Sequence, residues 1–500
     1  MTSMDPTHRA STAGALVRGT ALRTIGQIGW RLGGFAAGII LVRTMAAGDV
    51  GKFFFVLSLG ALFGLFFDLG LAQSISRQIP RAGTDPLQPN LIYLASIRVL
   101  LKVLIVVSAA ASLIWLLSSS SRADLVSVSA FLGILIALQT LAGSFLRARG
   151  RPWAAELYQA GIPLAFLLAI AILWAARELT PVTVIGSRMG IELVAASILV
   201  AAAFSMVKGH DTIRQVPVLR LALPLWLTGL AWVGLEQADV ALLGFLTSDR
   251  NVGLYAPTLR LAAISAVPFG ILFPYVMLAS GRMASRSKDG SVQRLYDVAG
   301  KVAVASGAPV IAAMFMGPGV VLQGVFGIGG SSVETAARIL VIGFFIHSMF
   351  GMNSGIAESL VALRALALRS LVTLIFVLAV DVVLISRFGI EGAALGCALG
   401  YVTIVLVNAG LVWRSLGLKP IGWGMAGTAG TLAIMVGTLT ATGWPQRGLG
   451  PLVISALSTW LVTLVVAWRT TNRGDRRMIV QAIRSGRDRV QPDIPRGAGL

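Results

Sequence analysis

The chain has 500 residues, 56% hydrophobic and only 12% charged, with 41 Lys and Arg against 21 Asp and Glu for a formal net charge of +20. A mean hydropathy of +0.83 excludes a soluble globular domain and marks a protein dissolved in lipid. Cys397 is the one cysteine, so neither an intrachain disulfide nor a cysteine-built metal cluster is available, and no cofactor or metal is expected.

Residues 1–20 are polar and dotted with arginine, without an apolar core ending at a small-residue cleavage site. No removable signal peptide is read there, and the first span is expected to be its own insertion signal. A span needs roughly 20 mainly apolar residues. Qualifying windows fall at 21–42, 52–75, 92–117, 125–146, 155–176, 182–206, 219–246, 254–279, 299–324, 337–361, 366–386, 391–413, 423–442 and 451–468. The expected fold class is therefore an all-α integral membrane protein with about 14 transmembrane helices. No connection is long enough to fold alone, so function falls to the helices themselves. The Arg-rich polar tail from about residue 470 reads as a disordered basic strip, either a topology signal or a contact with anionic lipid.

Charge placement orients the spans. With the N-terminus cytoplasmic, thirty of the 41 Lys and Arg fall in inner segments, and eight in outer ones: Arg43, Lys52, Arg122, Arg177, Arg250, Arg338, Arg387 and Arg447. This bias predicts that both termini are cytoplasmic. It also argues against a nucleic-acid partner, because the charge is spread over many short loops rather than gathered on a domain. The remaining three, Arg31, Arg188 and Arg260, lie inside spans.

A charge at bilayer depth costs at least about 2.5–3.5 kcal/mol and is usually held against a partner or a watery cavity. The hairpin over 224–277 holds three, Glu236, Asp239 and Arg260, around the polar turn from Thr247 to Asn251. Glu236 and Asp239 are three apart, on neighbouring positions of one helix face. The pair could hold a coupling proton or sodium ion, or neutralise Arg260 across the hairpin. Arg260 is followed by Pro268 and Pro274 and preceded by Pro257, which can kink the helix and free carbonyls, so it either lines a cavity or snorkels to the outer surface. Gln27, Arg31, Gly34 and Gly38 share one helical face, as do His347, Gly351, Ser354 and Glu358. His347 could relay protons with Glu358, or simply pack. Arg188 and Glu192 at i, i+4 are expected to pair with each other. Asp68 shares a face with Ala61, Gly64 and Ala72 and is read as a structural or gating contact, whereas Asp381 is expected to be solvated near the outer surface. Walker, HExxH and GxSxG motifs are absent, so an enzyme is not expected and no catalytic residue is assigned.

A faint repeat links Asp49-Val50-Gly51-Lys52 to Asn251-Val252-Gly253-Leu254, six spans later. An even number of spans gives two halves of the same orientation.

Leu41-Val42-Arg43 through Gly51-Lys52-Phe53-Phe54, Asp68-Leu69-Gly70-Leu71, Arg147-Ala148-Arg149-Gly150-Arg151, Asp239 with Val252-Gly253-Leu254-Tyr255, and Gly389-Ile390-Glu391-Gly392-Ala393-Ala394 follow one another over residues 15–470. In order and spacing they resemble the polysaccharide-biosynthesis (O-antigen, Wzx-type) flippases of the MATE-like multidrug/oligosaccharidyl-lipid/polysaccharide (MOP) superfamily. The resemblance implies two six-helix lobes in parallel pseudo-repeat plus two C-terminal helices. Its boundaries are a cytoplasmic N-terminal segment at 1–15, an N-lobe at 16–206, a linker at 207–217, a C-lobe at 218–414, extra helices at 415–469 and the basic tail at 470–500. It further implies alternating-access transfer of a polyprenyl-diphosphate-linked oligosaccharide across the bacterial inner membrane, for O-antigen, exopolysaccharide or capsule. Membrane lipids and other polysaccharide assembly proteins would be the further partners. Similar flippases line the cleft with basic residues, which here assigns Gln27, Arg31 and Arg260 to the cargo. Two rivals are a multidrug/cation antiporter of the same fold, and a membrane glycosyltransferase or polymerase. The buried arginines favour anionic cargo over the first, and the lack of a large outer loop disfavours the second.

Overall fold

The computed structural model describes residues 33–79, 88–117, 121–207, 218–284, 291–360, 363–419 and 422–472. Gln27 and Arg31, most of the linker and nearly all of the basic tail lie outside the described residues. Among the described residues every regular element is helical, as expected where no water can satisfy a free backbone N–H or C=O. In chain order they are α1 (Gly33–Thr44), α2 (Ala47–Asp68), α3 (Leu71–Gln78), α4 (Gln88–Leu117), α5 (Ser121–Ala148), α6 (Pro152–Ala175), α7 (Pro181–Phe204), α8 (Val218–Leu246) and α9 (Asp249–Ala263). Then follow α10 (Val267–Ala284), α11 (Ser291–Met316), α12 (Pro318–Phe326), α13 (Ser331–Phe350), α14 (Met352–Leu360), α15 (Leu363–Leu416), α16 (Trp423–Ala441) and α17 (Leu449–Arg469).

Among the described residues 12 helical stretches are long and apolar enough to cross a membrane. One of them, Ala365–Ser415, exceeds a single crossing. It bends at Gly389, whose φ of 55° and ψ of −121° suit glycine. Side chains added at Gly392, Gly396 and Gly400 would meet Leu384, Asp381 and Val377 in turn, so the two arms fold back as a hairpin. The expected spans at 366–386 and 391–413 are these arms.

Four expected spans are each divided. Residues 52–75 break at Leu69 and Gly70, both left-handed (φ 48° and 74°). Asp68 makes this break work: its Oδ1 accepts the Ala72 amide at 3.1 Å and so caps α3. The span at 254–279 breaks at the 3-10 turn Ile264–Ala266, where Pro268 has no N–H to give the Ile264 carbonyl. The span at 299–324 breaks at Gly317 before Pro318, and 337–361 breaks at Gly351.

The chain forms two compact units. One comprises Met1–Ala263, Pro318–Gly343 and Val361–Val407; the other Ile264–Gly317, Phe344–Leu360 and Asn408–Leu500. In the first, α2 packs on α5, α8 and α9. One of its apolar clusters contains Leu71, Ile75, Leu100, Leu141 and the stacked pair Tyr93 and Phe145, whose ring centres are 4.2 Å apart. In the second, α11 packs against α10, α16 and α17. Lys301 on α11 donates to the Thr470 carbonyl at 3.0 Å, just past the end of α17, where a cation offsets the helix dipole. Asn353 donates to Tyr296 and Asn408 to Ser354, both at 2.9 Å, so these buried amides have partners.

The faint repeat has a physical basis. A side chain on Gly51 would collide with the Asp249 carbonyl, and one on Gly253 with the Ala47 carbonyl; each would also press on the other glycine's amide. The contact is reciprocal: Ala47 precedes Gly51 by one turn, as Asp249 precedes Gly253. Thus α2 and α9 cross backbone to backbone about a local pseudo-two-fold. Arg122 braces the crossing with an ion pair to Asp249 at 2.8 Å. Nearby, Arg43 donates from Nε to the Val325 carbonyl at 2.8 Å at the end of α12.

Gly51→Ala and Gly253→Ala should each overpack this crossing and destabilise the protein by about 1–3 kcal/mol, read as a lower melting temperature in detergent. Gly48→Ala is the control, because a side chain there meets nothing within 4 Å. Wild-type melting in all three variants would refute the crossing.

Candidate functional site

Two polar clusters of opposite sign occupy the first unit. The cationic one starts from α7, whose N-terminus is fixed by a reciprocal cap. Thr180 Oγ1 accepts the Thr183 amide at 3.2 Å and Thr183 Oγ1 accepts the Thr180 amide at 3.0 Å, with Pro181 opening the helix. Arg188 follows two turns in and pairs with Glu192, as the i, i+4 spacing predicts. Glu192 is buried, and Gln139 on α5 donates to its Oε2 at 2.7 Å and to its carbonyl at 2.9 Å.

Arg260 sits in the last turn of α9, half-buried, with its guanidinium 4.0 Å above the Phe54 ring centre. Phe54 neighbours Phe53 (5.3 Å), which stacks on Phe166 of α6 (5.5 Å), and Arg188 lies over Phe166 at 5.4 Å. One aromatic shelf therefore carries a guanidinium at each end, held by attraction to the ring faces. Arg188 and Arg260 are close enough to repel one another. Among the described residues Arg260 makes no ion pair.

The acidic cluster is built on α8, α9 and the α15 hairpin. Asp239 is buried; the Tyr255 hydroxyl donates to its Oδ2 at 2.5 Å and also lies 3.3 Å from the Ala393 carbonyl oxygen. The Val240 amide donates to Oδ1 at 2.7 Å. Asp381, expected to be solvated, is instead 2% exposed, because the hairpin turn at Gly389 folds the second arm of α15 over it. Its carboxylate feels that of Asp239, and its Oδ1 has no hydrogen-bond partner among the described residues. Two buried carboxylates that feel one another favour neutralisation of one of them, by a proton or a small cation. Among the described residues no group of three or more His, Cys, Asp or Glu could hold a metal ion.

The other expected site residues fall elsewhere. Glu236 is exposed while Asp239 is buried, so the two do not share an environment. Asp239 has the Tyr255 hydroxyl and the Val240 amide as its partners, rather than Arg260. His347, in the second unit, is buried with Phe269 packed edge-on at 4.5 Å, and Glu358 is half-buried on α14. Asp68 is the cap of α3. The sequence reading missed Phe53, Phe54, Phe166, Gln139 and Tyr255. Tyr255 had a signal, since it stands where Phe53 stands in the first half of the repeat.

The fold is shared with solved transporters. Aligned to the lipid II flippase MurJ in an inward closed conformation, the chain gives a TM-score of 0.69 at 13% identity, covering 92% of this chain and 100% of that one. An inward-facing multidrug resistance MATE family transporter of the MOP superfamily gives 0.57 at 16% identity, covering 76% and 92%. The MATE multidrug transporter DinF-BH, solved as a complex, gives 0.57 at 15% identity, covering 80% and 95%. No curated protein sequence matches. The sequence pattern of the polysaccharide biosynthesis protein family matches residues 16–280, more than half of the chain. This all-helical, multi-span membrane protein belongs to the polysaccharide biosynthesis protein family.

Proposed function

We propose that the protein is a flippase carrying a polyprenyl-diphosphate-linked oligosaccharide across the bacterial inner membrane by alternating access, for O-antigen, exopolysaccharide or capsule. The observation that carries this reading is Arg260: a guanidinium within a span, held by a ring face rather than by a carboxylate, and so available to an anion. Family membership supports the sugar, and the fold shared with MurJ supports the lipid carrier. Arg31, on the first span, is the second proposed cargo contact, with Gln27 one turn before it. The lobes are those of residues 16–206 and 218–414, both termini are cytoplasmic, and the headgroup crosses in a hydrated cleft while the polyprenyl tail stays in lipid.

Asp239 and Asp381 are the proposed coupling site, taking up one proton or sodium ion. Of the residues expected to couple an ion, Asp239 has the enclosed acidic setting; Glu236 is exposed and His347 packs on Phe269. The acidic pair also favours the cation antiporter reading, which shares the MATE fold.

Replacing Arg260 or Arg31 by Ala should remove a charge-assisted contact of about 1.5–3 kcal/mol and cut surface polysaccharide roughly tenfold or more, with the protein still in the membrane. Normal export in both variants would overturn the cationic reading. A deletion strain should accumulate lipid-linked oligosaccharide on the inner leaflet without gaining drug sensitivity; the reverse pattern identifies an antiporter. For the coupling site, replacing choline by sodium should raise the melting temperature of the purified protein, an effect lost in Asp381→Asn. If acidification alone stabilises, the ion is a proton; if neither does, the pair does not couple.

A further inference from the structure

Arg188 spends only part of its hydrogen-bonding capacity. It reaches Glu192 through Nη2, while its Nε is buried without an acceptor among the described residues. A guanidinium donates best in parallel pairs, and a buried orphaned donor is rare in a finished structure. Glu192 does not depend on Arg188, because Gln139 fills its other oxygen at 2.7 Å and fixes its backbone at 2.9 Å. If the arginine leaves, the carboxylate keeps a partner. Arg188 lies seven residues into α7 and Arg260 eleven into α9, roughly 10 and 16 Å along their helices at 1.5 Å per residue, so neither is at a helix start. The Phe166, Phe53 and Phe54 shelf joins them.

We propose that Arg188 is a second cargo-phosphate contact, held in readiness by Glu192 and released to the diphosphate when the carrier lipid binds. It rests on the reading of Arg260 given above and deepens it: two guanidiniums at the ends of one aromatic shelf serve the two phosphates of a diphosphate. The repulsion between them falls when the anion lies between. Glu192 is then a competitor of the cargo, not its ally. An ordinary intrahelical ion pair would make both partners simply structural.

Opposite signs of effect separate these cases. Purified protein in phospholipid nanodiscs is titrated with undecaprenyl diphosphate, with undecaprenol as the uncharged control. Arg188→Gln should weaken diphosphate binding about tenfold, the scale of one charge-assisted contact. Glu192→Gln should tighten it, because the competing carboxylate is gone. The double variant, which leaves no unpaired charge and so tests the site even if a single variant misfolds, should bind like Arg188→Gln. Undecaprenol binding should not change in any of them. Equal weakening by Arg188→Gln and Glu192→Gln returns the pair to a structural role. Unchanged binding in Arg188→Gln, with weakening in Arg260→Gln, overturns this proposal alone. Unchanged binding in both overturns the Arg260 reading as well.

Discussion

The backbone crossing of α2 and α9 is the constraint on which the first unit depends. Two glycines meeting where any side chain would strike a carbonyl set the separation of these helices, and both clusters inherit their geometry from it. Two residues beyond Gly51 comes Phe53, which stacks on Phe166 under Arg188. Two residues beyond Gly253 comes Tyr255, which hydrogen-bonds Asp239. Equivalent positions of the repeat therefore carry an aromatic ring into opposite kinds of site, a cationic shelf in one half and an acidic pocket in the other. One hydroxyl makes the difference. A phenylalanine offers only its ring face, whereas a tyrosine also supplies a donor that a buried carboxylate needs.

Opposite charges kept apart inside a membrane protein are costly, since each group is desolvated without recovering the attraction of the other. Arg260 and Asp239 stand on the same helical hairpin, and pairing them would be the cheap solution. The protein instead gives Asp239 to Tyr255 and gives Arg260 to Phe54. Separation of this kind is useful where each charge has an outside partner: an anion at the arginines, a cation at the carboxylates. The same low dielectric that penalises the unpaired group strengthens its hold on an incoming ion.

The spans were legible in the sequence because roughly 20 apolar residues are a strong and unambiguous signal. So were the polar anomalies inside them, and the Arg188–Glu192 pair followed from spacing alone. What the sequence could not reveal depended on contacts between distant segments. Asp381 looked solvated because it lies near the end of its apolar window, yet the turn at Gly389 returns the chain over it. Glu236 and Asp239 looked like a pair because they are three apart, yet α8 buries one and exposes the other. The short Asp68-Leu69-Gly70 motif was visible as a string, but its reason was not. It is a helix break: the carboxylate caps α3, and at Gly70 a side chain would strike the Ala222 carbonyl of α8.

Arg260 shows how a membrane protein can keep a charge without neutralising it. It occupies the last turn of α9, one turn before the Ile264 carbonyl that Pro268 leaves without its donor. The 3-10 turn at Ile264–Ala266 follows one turn later. The ring of Phe54 covers the flat side of the guanidinium, which loses little there because it is weakly hydrated on its faces. Ring packing does not use the in-plane N–H groups, and those are the groups that recognise phosphate. A carboxylate partner would have stabilised the cation more but occupied the fork. A lysine would have kept the charge but lost the flat face that packs on the ring. The chosen arrangement holds the arginine charged, oriented and open at the edge through which an anion binds.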